Sequence, residues 1–232
     1  AGVLDRASTL VRKREAQIDK LDLLVKSQFI EIFGRAYDQY QLKTLPEVCR
    51  FIDYRGKTPE KSDSGIPLIT AKNIKENQFS IEPQEYIPTE NYDAIMSRGI
   101  PRINDVLFTT EAPLGNVCRI PPIFDKFCVG QRIITMQPNP TKITSEYLER
   151  ALLTQRFQDD MWKRSSGSTV KGIRSKELAQ LKIPVPPLCV QTQFADFVQQ
   201  VEDQMTLLQQ SLTKLELNYK SLMQKCFRGE IF

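Results

Sequence analysis

The chain has 232 residues, 41% of them hydrophobic and 26% charged. That balance suits one good-sized core plus an extended element and excludes wholesale disorder. Lys and Arg number 32 against 28 Asp and Glu, a formal net charge of +4, and histidine is absent. The charge permits nucleic-acid contact without arguing for it. The missing histidine excludes Ser-His-Asp and Cys-His nucleophilic sites, histidine-ligated zinc and histidine acid–base chemistry within the chain.

Residues 3–33 contain no Pro or Gly, and Gly34 suits a helix stop. The N-terminus carries Asp5, Arg6, Arg12, Lys13 and Arg14 and no apolar signal-peptide region. Within the first helix, Lys20-Leu21-Asp22-Leu23-Leu24-Val25-Lys26-Ser27 recurs 194 residues later as Lys214-Leu215-Glu216-Leu217-Asn218-Tyr219-Lys220-Ser221. Six of the eight positions are identical or exchange Asp for Glu, so the chain holds an internal repeat.

The middle, residues 41–187, holds all fourteen prolines. Its short β-branched and aromatic runs read as strands: 67–70, 106–110, 116–120, 132–136 and 181–185. One internal helix is expected, capped by Thr144 or Ser145, with Tyr147, Leu148, Ala151, Leu152 and Met161 as its apolar stripe. The five cysteines, Cys49, Cys118, Cys128, Cys189 and Cys226, are scattered and form no Cys-x-x-Cys. A disulfide framework or zinc ribbon is not expected, and a reducing cytoplasmic setting is.

Pro186-Pro187 precede the second helix, where proline is tolerated. The uncharged stretch 183–195 is too short and too proline-rich to span a bilayer. Val198, Val201, Met205, Leu208, Leu212, Leu215, Tyr219 and Leu222 then step by three and four, an a/d seam. The corresponding N-terminal positions are Leu4, Ala7, Val11, Arg14, Ile18, Leu21, Val25 and Gln28, six of them apolar. Two copies in one register favour pairing of the helices with each other or with a partner's helices, through Val11, Ile18, Leu21 and Val25 on the first and Val201, Met205, Leu208, Leu212, Leu215 and Tyr219 on the second. The alternative is that each packs on a globular core. About 30 residues at roughly 1.5 Å rise give a rod of about 45 Å.

Enzyme motifs are missing. There is no G-x-G-x-x-G, Walker loop, H-E-x-x-H or Asn/Asp-Pro-Pro-Tyr. Asp53, Glu60 and Lys61 fit a metal-dependent nuclease only loosely, and no metal site is assigned. The strongest charge feature is 161–176, where Lys163, Arg164, Lys171, Arg174 and Lys176 alternate with Ser, Thr and Gly and no acid intervenes. Lys171 and Arg174 would neutralise phosphates, and Ser168 and Thr169 would donate to phosphate oxygens. A solvated basic loop is the alternative. A second basic segment, 50–61, offers Arg50, Arg55, Lys57, Thr58 and Lys61. Its arginine could read guanine N7 and O6 in a major groove. A charged turn is the alternative there. Lys72, Asn73, Thr109 and Thr110 follow strands and are further DNA-contact candidates, asparagine being suited to adenine.

These pieces resemble the specificity (S) subunit of type I restriction-modification enzymes. Gly65-Ile66-Pro67-Leu68-Ile69 with Asn73-Ile74 resembles that family's early target-recognition segment. Asn104-Asp105-Val106-Leu107-Phe108 with Pro113-Leu114-Gly115-Asn116 resembles its central strand pair. Gly167-Ser168-Thr169-Val170-Lys171-Gly172-Ile173, followed by Leu181-Lys182-Ile183-Pro184-Val185-Pro186-Pro187 and Gln191, resembles its passage into the second helix.

The resemblance implies an α+β chain with three parts: an N-terminal helix at 1–34, a mainly β DNA target-recognition domain at 41–187 and a C-terminal helix at 188–232, the helices pairing as an antiparallel coiled coil. It implies a non-catalytic reader of one half of a bipartite double-stranded DNA target. Methyltransferase (M) and restriction (R) subunits would be its partners, and S-adenosylmethionine, ATP and Mg would act on those partners. A full S subunit carries two such domains, so the single domain here implies the second half of one or a half-length version that pairs with itself. A coiled-coil scaffold without DNA specificity is the rival reading.

Overall fold

The computed structural model describes residues 2–54, 59–75 and 78–228. In chain order they form α1 (Gly2–Phe33), α2 (Ala36–Gln39), β1 (Leu42–Thr44), α3 (Leu45–Val48), β2 (Cys49–Asp53), β3 (Ile66–Ile69), β4 (Ile74–Lys75), β5 (Gln78–Phe79), β6 (Tyr86–Ile87), α4 (Tyr92–Ile95), β7 (Val106–Thr110), β8 (Leu114–Arg119), β9 (Cys128–Val129), β10 (Ile133–Pro138), α5 (Ser145–Leu152), α6 (Gln155–Arg164), α7 (Ser175–Ala179), β11 (Lys182–Pro184) and α8 (Leu188–Phe227). They fall into two units, 1–34 with 196–232, and 35–195.

The first unit is the pair of long helices. Every predicted seam position of α1 and α8 is buried or half-buried, while most positions between them are exposed. Val25, Phe29 and Phe33 of α1 and Val198, Val201 and Leu212 of α8 are buried. The heptad spacing causes this: steps of three and four keep one stripe facing the partner helix. Each buried Val or Leu contributes roughly 1.5–3 kcal/mol. Gly34 ends α1 as expected. Its amide donates to the Ile30 carbonyl at 2.8 Å, and a Cβ there would lie 2.5 Å from that oxygen.

The central unit is built on a four-stranded antiparallel sheet, ordered β2-β10-β7-β8. β7 is buried along its whole length because both faces are covered. On one face Phe108 meets Phe157 of α6 edge-to-face, with ring centroids 6.4 Å apart. On the other, Leu107, Cys118, Ile133 and Ile52 merge with Ile66, Leu68, Ile69, Cys128 and Val129 into one apolar cluster. The last five belong to or flank a three-stranded sheet, β6-β3-β9, in which β3 and β9 run parallel.

Four of the five expected strand runs overlap observed strands closely, and 181–185 contracts to β11, which pairs with β1. The single expected internal helix is two. Thr144 caps α5 by accepting the Tyr147 amide at 3.2 Å, and the helix stops at Leu152. Thr154 breaks the run, its hydroxyl donating back to the Ala151 carbonyl at 2.7 Å. Such back-bonding competes with the helix ladder, so Met161 belongs to α6 instead.

α8 begins at Leu188, as expected, but its first turns belong to the central unit. Gln191 and Phe194 are fully buried there. The Gln191 side chain accepts the Thr144 amide at 3.0 Å and donates to the carbonyls of Lys142 and Pro186 at 3.1 and 2.8 Å.

Candidate nucleic-acid interface

The register of the four-stranded sheet sets the site. Ile134 lies opposite Asp53, and Ile133 opposite Thr109. One end of the sheet therefore gathers the last residues of β2 and β7, the first of β8 and the first of β10. The basic loop that follows α6 is fastened to this end. Ser166 and Gly172 exchange two backbone hydrogen bonds of 2.9 Å, closing the loop into a narrow hairpin, and the Ile173 amide donates to the Thr110 carbonyl at 3.0 Å. Ile173 is buried and acts as the anchor. Gly167 has φ +111° and a Cβ there would lie 2.1 Å from the Val170 carbonyl oxygen, so only glycine closes this turn without strain.

Ser168, Thr169 and Lys171 are exposed at the hairpin tip, and Arg174 is exposed at its base. Lys171 and Arg174 have no ion-pair partner among the described residues. Lys163 and Arg164 differ. They end α6 and pair with Asp160 at 2.9 Å and with Glu177 at 3.5 Å. The loop lines a concavity of about 390 Å³ together with Glu111 and Arg132. Gln131 also lines an adjoining concavity of about 260 Å³, whose wall includes Tyr54 and Pro59. Arg55, Lys57 and Thr58, the core of the second basic segment, lie outside the described residues. Tyr54, Pro59 and Glu60, the described residues beside them, line the concavity that adjoins the hairpin's.

Lys61 and Lys72 converge elsewhere in the unit, on Glu85, at 2.7 and 3.0 Å. Burial pushes the Glu85 carboxyl up, but hydrogen bonds and charge from the two ammonium groups outweigh it and hold the group below its ordinary value. Both lysines are thus partly neutralised, and neither is as free for phosphate as Lys171.

Three expected DNA contacts are structural instead. Asn73 is buried. Its Oδ1 accepts the Thr70 amide at 2.9 Å, and its Nδ2 donates to the carbonyls of Ser80 and Pro83 at 3.0 Å. No amide edge remains for adenine. Thr109 is fully buried, and its hydroxyl accepts the Asn116 amide at 2.9 Å. Thr110 is buried, and its hydroxyl donates to the Arg132 carbonyl at 3.2 Å. Following a strand placed these residues near the sheet end, but their polar atoms serve the fold. The residues that sequence reasoning missed are Glu111, Gln131 and Arg132. Arg132 read only as the first residue of a strand, and nothing in its neighbourhood signalled a site.

The other motif residues also hold structure. Asp105 is buried, and its Oδ2 accepts from the Arg102 amide and from Gln137 Nε2, both at 2.7 Å. Asn104 adopts φ +67°, a conformation asparagine tolerates. Gly115 has φ +88°, and a Cβ there would lie 2.6 Å from both Gln158 and Met161 of α6.

Chemically, the site offers exposed cations, hydroxyls and backbone amides on a rigid sheet end, a set suited to an anionic polymer. Among the described residues no group of three or more His, Cys, Asp or Glu could hold a metal, so Asp53 and Glu60 join no such cluster. The buried thiols of Cys49 and Cys128 are pushed up to about 12 by desolvation, and Cys118 is raised by the same cause, which keeps all three protonated. No helix among the described residues is long and apolar enough to cross a membrane.

Comparison with known proteins points to one family. Residues 37–217 match the model described as the type I restriction modification DNA specificity domain. The chain is 26% identical over 257 aligned residues to the protein named MjaX type I restriction enzyme specificity subunit in Methanocaldococcus jannaschii, covering 100% of this chain and 56% of that protein. It is 24% identical over 149 residues to the type I restriction enzyme EcoDI specificity subunit of Escherichia coli, covering 60% of this chain and 33% of that one. The type I restriction-modification S subunit from M. genitalium shares the fold, with a TM-score of 0.56 and 18% identity over 96% of this chain and 56% of that chain. The chain spans about half the length of the MjaX relative and a third of the EcoDI relative.

Proposed function

Because the chain belongs to the type I restriction modification DNA specificity family, we propose that its central unit reads one short half of a bipartite double-stranded DNA target, and that its helical unit docks methyltransferase subunits. The chain itself is non-catalytic in this reading. Methyl transfer and cleavage, with S-adenosylmethionine, ATP and Mg²⁺, fall to the methyltransferase and restriction subunits.

The observation that carries the DNA reading is the hairpin at 166–172, with its unpaired Lys171 and the nearby Arg174, fastened to the end of a rigid sheet. Phosphate contacts from such cations supply affinity, and base edges meeting the adjoining concavities supply sequence. The helical repeat supports docking. Lys20, Leu23 and Ser27 match Lys214, Leu217 and Ser221 and are exposed, so pairing of the helices does not require their identity. Leu23 is 58% and Leu217 60% exposed, two equivalent apolar points that suit two equivalent partners. A helix of about 30 residues is roughly 45 Å long, enough to hold two readers about one DNA turn apart. The second reader comes from a second copy of the chain or from the remaining length seen in its relatives.

The test is selection from a random duplex pool by the chain assembled with its methyltransferase, followed by sequencing. One enriched motif is expected. Retention of all sequences alike, at one common salt dependence, would contradict the reading.

A further inference from the structure

The geometry points to Arg132 as a guanine-reading residue, with Glu111 as the positioning residue that aims it. This rests on the DNA-reading function proposed above and adds to it a named base contact.

Both residues are rigidly placed. The Arg132 carbonyl accepts from the Thr110 amide at 2.9 Å and from the Thr110 hydroxyl at 3.2 Å. Glu111, the next residue, is bridged to Gly172 of the basic hairpin. The backbones are therefore tied to the sheet and to the hairpin, while the side chains stand in solvent, 56% exposed for Arg132 and 44% for Glu111. Arg132 Nε lies 3.0 Å from Glu111 Oε1. An ion pair this exposed adds little to stability, so its effect lies in where it directs the guanidinium.

Two features separate base reading from phosphate contact. First, engaging Nε leaves the two terminal nitrogens of the guanidinium without a partner among the described residues. A planar fork with two parallel donors matches the N7 and O6 acceptors of guanine in the major groove. Second, the Glu111 carboxylate repels a phosphate but not the neutral edge of a base. Lys171 and Arg174, which have no acid partner, carry the phosphate contacts. Arg132, which lines the same concavity as Arg174, meets the groove. The remaining carboxylate oxygen of Glu111 can accept from the N4 amine of the paired cytosine, a contact that favours the same G·C pair.

The experiment uses the chain assembled with its methyltransferase and a random duplex pool, comparing wild type with Arg132→Ala, Arg132→Lys and Glu111→Gln. Salt dependence of binding is measured for each, and thermal melting checks the fold. One G·C position of the wild-type motif is expected to become degenerate in both Arg132 variants, with its preference falling about ten- to hundredfold. Arg132→Lys keeps the charge and is expected to keep the salt slope. Glu111→Gln is expected to weaken preference at that same position. A motif that survives intact in Arg132→Ala and Arg132→Lys overturns the inference. So does a salt slope shallower by about 0.9 in Arg132→Ala with the motif unchanged, the mark of a phosphate contact. A wild-type chain that enriches no motif overturns the DNA-reading function, and this inference with it.

Discussion

Arg119 and Glu149 hold each other at two points: Arg119 Nε lies 3.1 Å from Glu149 Oε2, and the Arg119 amide donates to Glu149 Oε1 at 3.0 Å. Glu146 Oε1 adds a third contact, at 2.9 Å to Arg119 Nη1. The pair clamps the end of β8 onto α5, and both its side chains are only 10% exposed. Removing Glu149 takes away two of these contacts in a nearly closed site, while Glu146 still pairs with the guanidinium. Glu149→Ala is expected to destabilise the chain by about 1–3 kcal/mol, whereas Glu149→Gln, which keeps an acceptor for the Arg119 amide, is expected to lose less. Urea denaturation of the two variants measures the difference.

Glu85 gives a pH dependence with a definite sign. Its folded pKa lies below its unfolded value because Lys61 and Lys72 stabilise the carboxylate against the opposing effect of burial. The stabilisation is fully present above the unfolded value and is lost as the pH falls through the folded one. Glu85→Gln is expected to be less stable than wild type at neutral pH and to converge with it in acid, below the usual carboxylate range. Denaturation midpoints over a pH series check this. A gap that stays constant with pH would remove Glu85 as the source.

The basic hairpin predicts a salt effect. If Lys171 and Arg174 each neutralise one phosphate, Lys171→Ala with Arg174→Ala makes the plot of log affinity against log salt shallower by about 1.8. The loss of affinity is expected to be uniform across DNA sequences. Titration at several salt concentrations reads the slope, and an unchanged slope would discard the hairpin as a DNA surface.

The two kinds of leucine on the helices are expected to behave oppositely. Leu212 is buried in the seam, and Leu212→Ala should cost about 2–4 kcal/mol in the helical unit. Leu23→Ala with Leu217→Ala should leave stability within about 0.5 kcal/mol yet weaken co-purification of the methyltransferase. Thermal melting and affinity capture of the co-expressed subunits separate the two effects.

The helices were the most legible part of the sequence, because a 3.5-residue apolar period survives any tertiary context. Strands of the main sheet were legible where β-branched runs are long, as at Val106–Thr110. β2 reads as part of a basic segment because Arg50 and Asp53 interrupt its apolar residues. The two-residue strands β4, β5, β6 and β9 are too short to carry a period. In the site, the hairpin with Lys171 and Arg174 was visible as a charge run. Asn73, Thr109 and Thr110 misled because residue type suggests a hydrogen bond without naming its partner, and here the partner is backbone. Glu111 and Arg132 stayed hidden because they lie 21 residues apart in sequence and meet only through the pairing of β7 with β10.

The division of labour between the two units is tested most directly by exchanging residues 35–195 for the corresponding segment of another family member, leaving both helices in place. The methylated sites of cells carrying each chain with the same methyltransferase are then mapped. The recognised half-site is expected to change to that of the donor segment while methylation continues. An unchanged motif would place the choice of sequence outside the central unit and contradict the account.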